Sequence, residues 1–229
     1  HTRLQGDWSS DVCSSDLSVG GRTEPSLLTA QTRSEATAAR IIAAAKSLFV
    51  ARNYSDVTTD MIAAAAEITK GGLYHHFASK EDLYLAMMLG DFEDKRRLFE
   101  QAVATPGTCR DRLAQLTRDY LELPHEEREL THLVRRDVNT FSGKERDSLI
   151  SAYQKALPAQ IETIINDGIR DEEVAACDAR ILAWSFVALV EVVIGQYAEV
   201  TLGNTEAQLE HVLGLFFGGV SITPKGEPA

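Results

Sequence analysis

From Glu35 onward, apolar residues recur at helical spacing. Ile41, Ile42, Ala45, Leu48 and Phe49 fall at i, i+1, i+4, i+7 and i+8, one face of a first helix. Asn53-Tyr54-Ser55-Asp56 ends that pattern. Thr58 or Thr59 then offers an N-cap hydroxyl for a short alanine-rich second helix, Asp60 to Ala66. After a turn through Glu67 and Ile68, Thr69 is placed to cap a third helix through Gly71, Gly72, Leu73, Tyr74 and His75. Ser79, with Asp82 three residues on, reads as the capping-box start of a fourth. Polar or Pro/Gly breaks then separate longer helical patterns at about Asp111 to Leu123, Glu126 to Phe141, Lys144 to Ile169, Asp178 to Val200 and Thr205 to Val220. Pro158 is expected to kink the third of these. No alternation of strand type is present, so the pattern predicts an all-α chain of about nine helices.

Residues 1–32 show no sustained apolar period. Their Trp8 to Asp16 run, rich in Ser and Asp, resembles translated adapter sequence, so the segment is set aside as disordered or non-native. Residues 222–229 read as a C-terminal tail.

Composition narrows the chemistry. With 229 residues, 44% of them hydrophobic, the chain can bury a substantial core. Cys13, Cys109 and Cys177 are too few and too scattered for a disulfide framework or a zinc site, which fits a reducing cytoplasm and ordinary thiols. The most apolar stretch, Ile181 to Ile194, is too short for a membrane span and carries Ser185 and Glu191. No Gly-x-Ser-x-Gly elbow, phosphate loop or metal-spaced cluster argues for an enzyme or a cofactor.

The net charge of −11 argues against nucleic-acid binding only until it is divided along the chain. From Arg33 to Lys80, six basic residues (Arg33, Arg40, Lys46, Arg52, Lys70, Lys80) stand against four acidic ones (Glu35, Asp56, Asp60, Glu67), leaving that segment at +2 and the remainder at −13. Such asymmetry points to one segment facing a polyanion.

That segment has helix-turn-helix logic. Ala63 and Ala66 allow two short helices to cross closely, while Ile62, Ile68, Leu73 and Phe77 form an apolar seam against the first helix. Lys70 stands at the N-terminal end of the third helix, where dipole and free amides favour phosphate. Gly71 and Gly72 remove side chains there at a cost of about 1 kcal/mol each in helix propensity. Thr59, Thr69, Tyr74, His75, His76 and Lys80 are placed to donate to phosphate oxygens. For His75 and His76, phosphate contact or simple exposure outweighs a metal site, because adjacent helical side chains diverge by about 100°.

On these residues, the segment from about Glu35 to Leu83 resembles the DNA-binding domain of TetR-family transcriptional repressors. The resemblance rests on Ile62-Ala63, Thr69-Lys70-Gly71, the Leu73 to Phe77 run and Ser79-Lys80-Glu81-Asp82-Leu83. It departs at Glu67, where the family often has glycine in the turn and where a left-handed backbone would strain a glutamate. The resemblance implies DNA contacts from Thr59, Thr69, Lys70, Gly71, Tyr74, His75 and Lys80. It implies a three-helix DNA-binding domain over 33–82 and a ligand-binding and dimerisation domain over 83–221.

The 181–194 stretch is apolar all round and therefore demands burial on more than one side. With Leu209, Val212, Leu213, Leu215, Phe216 and Phe217 in the last helix, it is expected to form a four-helix bundle with its twofold mate, burying Trp184, Val192, Leu209, Val212, Leu213, Phe216 and Phe217 in a homodimer interface. Asp137, Phe141, Tyr153, Gln154, Trp184, Val187 and Glu191 are candidates to contact a small-molecule effector, with surface, core or interface placement as the alternative for each. The expected function is a repressor that binds a palindromic double-stranded operator and is released by an effector. An activator, a corepressor-dependent regulator and a helical dimer with decayed DNA binding are the alternatives.

Overall fold

The computed structural model describes residues 25–220. These form eleven α-helices: α1 (Pro25–Ala51), α2 (Thr59–Ala65), α3 (Lys70–His76), α4 (Lys80–Ala104), α5 (Cys109–Leu121), α6 (His125–Asp137), α7 (Gly143–Ala156), α8 (Pro158–Arg170), α9 (Ala179–Val193), α10 (Gln196–Leu202) and α11 (Thr205–Val220). Single 3-10 turns follow α1 (Tyr54–Asp56) and α6 (Val138–Thr140), and no strand occurs among the described residues.

The helix starts are written by side chains that satisfy otherwise orphaned amides. Thr58 accepts from the Met61 amide at 3.2 Å, Thr69 from Gly72 at 3.0 Å and Ser79 from Asp82 at 2.9 Å. Thr108 and Asp111 complete a capping box that starts α5 at Cys109, two residues before the expected start.

Two helices more than expected arise from two breaks. Pro158 does not kink a continuous helix; it occupies the first turn of a new one, where its missing N–H removes no hydrogen bond. Gly195 adopts an extended backbone between α9 and α10, so the expected Asp178 to Val200 helix is also two. At the N-terminal end, α1 begins at Pro25, inside the segment set aside as non-native. Residues 1–24, with the Trp8 to Asp16 run, and the tail at 222–229 lie outside the described residues.

The chain divides into a first unit, His1–Thr37, and a second, Ala38–Ala229. The described part of the first is helical, with Gln31 donating to Glu35 and Thr37 to the Arg33 carbonyl. The second holds one continuous core. Within it α4 serves two neighbourhoods: Tyr84 packs edge-on to Phe49 and Tyr54, while Phe92 and Phe99 meet Tyr153 and Tyr120. The expected boundary at 82/83 therefore falls inside a helix that belongs to both sides.

Candidate functional site

The turn between α2 and α3 is a Schellman motif. The Ile68 amide donates to the Ala63 carbonyl at 3.0 Å and Glu67 to Ala64 at 3.1 Å. This arrangement requires a left-handed residue, and Glu67 supplies it at φ 53°, at a cost of about 1–2 kcal/mol that glycine would avoid.

The α3 N-terminus is exposed at Thr69, Lys70 and Gly71, and Tyr74 is 45% exposed one turn on. The two glycines have different roles. A Cβ on Gly72 would come within 3.3 Å of the Thr69 cap oxygen, whereas one on Gly71 would meet nothing closer than 4.0 Å, so Gly71 alone leaves open space outside the helix. Thr59 Oγ1 lies 3.5 Å from Tyr74 Oη, joining the start of α2 to the middle of α3. Lys70 pairs with Asp60 at 2.9 Å, and that hydrogen bond holds the exposed amine above its usual range. His75 is exposed and His76 half-buried, their rings edge to face at 5.4 Å.

Lys80 differs from the rest. Its ammonium donates to the Tyr54 and Val57 carbonyls at 2.8 and 2.9 Å and lies 4.1 Å from the centre of the Tyr54 ring. Burial pulls its pKa down, with Asp56 opposing. The expected phosphate donor instead fastens the loop after α1 to α4.

Packing places Asp137 and Phe141 in the core, the alternative held open for them, and neither lines the cavities described below. Asp137 accepts from Tyr84 Oη at 3.1 Å and from Arg136, and Phe141 stacks on Tyr84 at 5.1 Å. Arg136 Nη2 donates to the Phe49 and Arg52 carbonyls at 2.9 and 3.0 Å, gripping the end of α1 from α6. A second clasp, absent from the sequence expectations, is the buried pair Asp91 and Lys95 on α4. Lys95 also donates to the Glu127 carbonyl of α6 at 2.7 Å, and Lys46 of α1 lies 3.8 Å from Asp91.

In the larger helical region, a cavity of about 20 Å³ lies among α4, α5, α6, α8 and α9. Phe99, Tyr120, Phe186, Val187 and Val190 line it, together with Thr131 and Glu191. Val187 and Glu191 both line it, and Arg135 holds the Glu191 carboxylate at 2.5 Å. Tyr153 is buried nearby in the core, edge-on to Phe92, and burial raises its phenol pKa. Gln154 and Trp184 line a separate outer groove of about 230 Å³ with Lys155, Glu162 and Arg180. A broader cleft of about 1030 Å³ beside α4 and α7 carries both charges, including Glu93, Arg96, Lys144 and Asp147.

Four of the expected interface residues are used inside the chain. Leu209, Val212, Leu213 and Phe216 are buried, and Phe216 meets Phe186 edge to face at 4.9 Å. The α11 stripe satisfies the chain's own core, so it is not free for a partner. Trp184 and Phe217 are half-buried, and Val192 is 67% exposed. Among the described residues, the large apolar side chains left outward on α9 and α11 are Ile181, Val192 and Leu215.

Against known proteins, two family models match: bacterial regulatory proteins of the tetR family over residues 41–87, and the tetracyclin repressor-like C-terminal domain over 106–197. The HTH-type transcriptional regulator QacR of Staphylococcus aureus is 41% identical over 49 residues, 21% of this chain; that match spans only 26% of the relative's own length. The HTH-type transcriptional activator FasR of Mycolicibacterium smegmatis is 26% identical over 151 residues, 66% of this chain and 67% of the relative. The crystal structure of AibR in complex with isovaleryl coenzyme A and operator DNA superposes with a TM-score of 0.67 at 22% identity, covering 78% of this chain and 97% of that one.

Proposed function

We propose, from the premise that this chain belongs to the tetR family of bacterial regulatory proteins, that it is a cytoplasmic transcriptional repressor. In this reading a homodimer binds a palindromic double-stranded operator and is released when a small molecule occupies the larger helical domain. The observation that carries the reading is the α3 N-terminus, where Thr69, Lys70, Gly71 and Tyr74 stand outward on a short helix fixed by side-chain caps. Amides and dipole there favour phosphate, and Gly71 permits close approach to base edges. Lys70 exchanges Asp60 for phosphate or bridges both.

Two copies related by a twofold axis set their α3 helices about one DNA turn, roughly 34 Å, apart. The partner surface we assign is the outward face of α9 and α11, where Ile181, Val192 and Leu215 are exposed and a Cβ on Gly214 would meet nothing within 4 Å. Release works through α6, which borders the cavity at Thr131 and grips α1 through Arg136. A coupling of about 1–3 kcal/mol between effector and operator changes affinity roughly 5- to 150-fold.

The test is binding of the purified chain to its own upstream intergenic DNA at two salt concentrations, beside the Lys70→Ala/Tyr74→Ala variant. The reading expects selective, salt-weakened binding that the variant loses; equal and weak binding by both proteins would sink it. A relative named as an activator, FasR, favours activation as the second reading. A promoter reporter separates the two by the sign of its response.

A further inference from the structure

Four buried polar side-chain atoms among the described residues make no hydrogen bond: Arg112 Nε, Arg128 Nε, Thr131 Oγ1 and Tyr153 Oη. The arginines have other outlets, Arg112 to Asp167 and the Val103 carbonyl and Arg128 to Glu199. The two hydroxyls make no such bond, although Thr131 lies close to the Tyr120 hydroxyl, which itself donates to the Arg128 carbonyl at 3.3 Å, and Tyr153 lies close to the Arg135 side chain. A buried hydroxyl without a partner is costly to the fold. Thr131 is 2% exposed and borders the interior cavity, whose other walls are apolar except for Thr117, Tyr120 and Glu191.

The charges of those walls restrict what can enter. Glu191 is the sole ionisable carboxylate among the lining residues, and no Lys, Arg or His lines the cavity. An anion would be stripped of water beside the Glu191 carboxylate, whose paired cation, Arg135, is already engaged and does not line the cavity. A cation would have to take Glu191 away from Arg135. A neutral molecule meets neither obstacle. Its apolar body suits Phe99, Leu116, Phe186 and Val190, and a hydroxyl both donates and accepts, which suits the Thr131 hydroxyl beside the Glu191 carboxylate.

We infer that this cavity takes an uncharged, largely apolar molecule bearing a single hydroxyl, a phenol or alcohol, with Thr131 as its polar partner. The inference rests on the reading of the chain as an effector-responsive regulator. At about 20 Å³ the cavity holds a water molecule and no organic guest, so binding must part the walls contributed by Leu157, between α7 and α8, and Phe186 of α9.

Calorimetry on the full chain with para-ethylphenol, ethylbenzene, para-ethylbenzoate and para-ethylbenzylamine tests it, with operator binding followed in parallel. The phenol is expected to bind most tightly, ethylbenzene about tenfold more weakly, and the two ions not at all. In Thr131→Val, which keeps the shape and removes the hydroxyl, para-ethylphenol should weaken about tenfold to the level of ethylbenzene, while ethylbenzene is unchanged. Comparable binding of either ion, an undiminished phenol preference in Thr131→Val, or no binding by any probe at its solubility limit overturns the inference. If the probes bind with the expected selectivity yet leave the operator complex intact, the cavity chemistry stands and the effector-release reading fails. If para-ethylphenol releases operator equally from wild type and Thr131→Val, the regulator reading stands and the cavity assignment fails.

Discussion

Helix α6 is anchored at both ends, and its buried middle holds a hydroxyl without a hydrogen bond. At the N-terminal end the Glu127 carbonyl receives the buried Lys95 ammonium, and at the C-terminal end Arg136 and Asp137 bind the close of α1 and the Tyr84 phenol. Between them Thr131 is equally buried and makes no hydrogen bond. Satisfied buried polar groups fix a single geometry, whereas an unsatisfied one leaves about 1–3 kcal/mol that a suitable partner can recover. The anchored ends therefore tie the DNA-binding helices to α6, and the unpartnered Thr131 hydroxyl between them is the group a guest could satisfy. From Thr131 to Arg136 is about 7.5 Å along the helix, short enough to move as one rigid piece.

The most forceful way to break this contrast is to cut the N-terminal anchor. Asp91→Ala strands Lys95 in the core and is expected to cost about 3–5 kcal/mol in urea unfolding, while Asp91→Ala with Lys95→Met should recover most of that loss. A cost under about 1 kcal/mol, or no recovery in the double variant, would show that the pair does not anchor α6. The C-terminal anchor is more exposed on its arginine side, so Asp137→Ala is expected to cost less, about 2 kcal/mol, by leaving the Tyr84 hydroxyl without its acceptor. The same variant should loosen α1, read as faster amide exchange at its C-terminal turn.

Alkaline pH probes the same anchor more gently. Burial, then the charge and hydrogen bond of Asp137, raises the Tyr84 phenol far above its ordinary value, and burial pushes Tyr54 beside it up to about 12. A raised folded pKa means that folding favours the protonated phenol. The stability is fully present below the unfolded value of about 10 and is lost as pH climbs past it toward the folded value. Urea midpoints should therefore fall between neutral pH and about pH 11, less steeply in Tyr84→Phe than in wild type. Parallel curves for the two proteins would remove Tyr84 from the anchor.

How much of this was legible before the structure depended on whether local chemistry settled the matter. The caps at Thr58, Thr69 and Ser79, and the strained turn at Glu67, are local and readable, because a hydroxyl three residues ahead of an amide needs no distant partner. Pro158 and Gly195 were visible as breakers, but whether each bends a helix or starts another depends on how the flanking segments pack. The α11 stripe is legible as apolar, but periodicity gives a buried face and not what covers it, here largely the chain's own core. The anchoring role of Lys80 leaves no local signal, because its acceptors, the Tyr54 and Val57 carbonyls, lie more than twenty residues upstream. The buried Asp91 and Lys95 left a signal that went unused: they stand on the same helical stripe as Met88, Phe92, Phe99 and Ala102, a position where a charge is either paired or a fault. Thr131 shares its stripe with Leu130, Val134 and Asp137 in the same way.

The smallest expected effect is the sharpest test of the contrast. Thr131→Val conserves shape and removes the one hydroxyl of α6 that burial leaves unused. Where a buried polar group is bonded, its loss costs stability; where it is unbonded, an apolar replacement removes a desolvation penalty and is neutral or stabilising. Urea unfolding of Thr131→Val is accordingly expected to show no loss and a gain of up to about 1 kcal/mol, opposite in sign to Asp91→Ala and Asp137→Ala. A loss of 1 kcal/mol or more would mean that Thr131 is held by a water or a side chain in the folded protein, and the middle of α6 would then be a third anchor. A gain in stability joined to a loss of affinity for a hydroxylated guest would separate function from fold at this residue, because the group that weakens the empty protein would be the one that recognises its ligand.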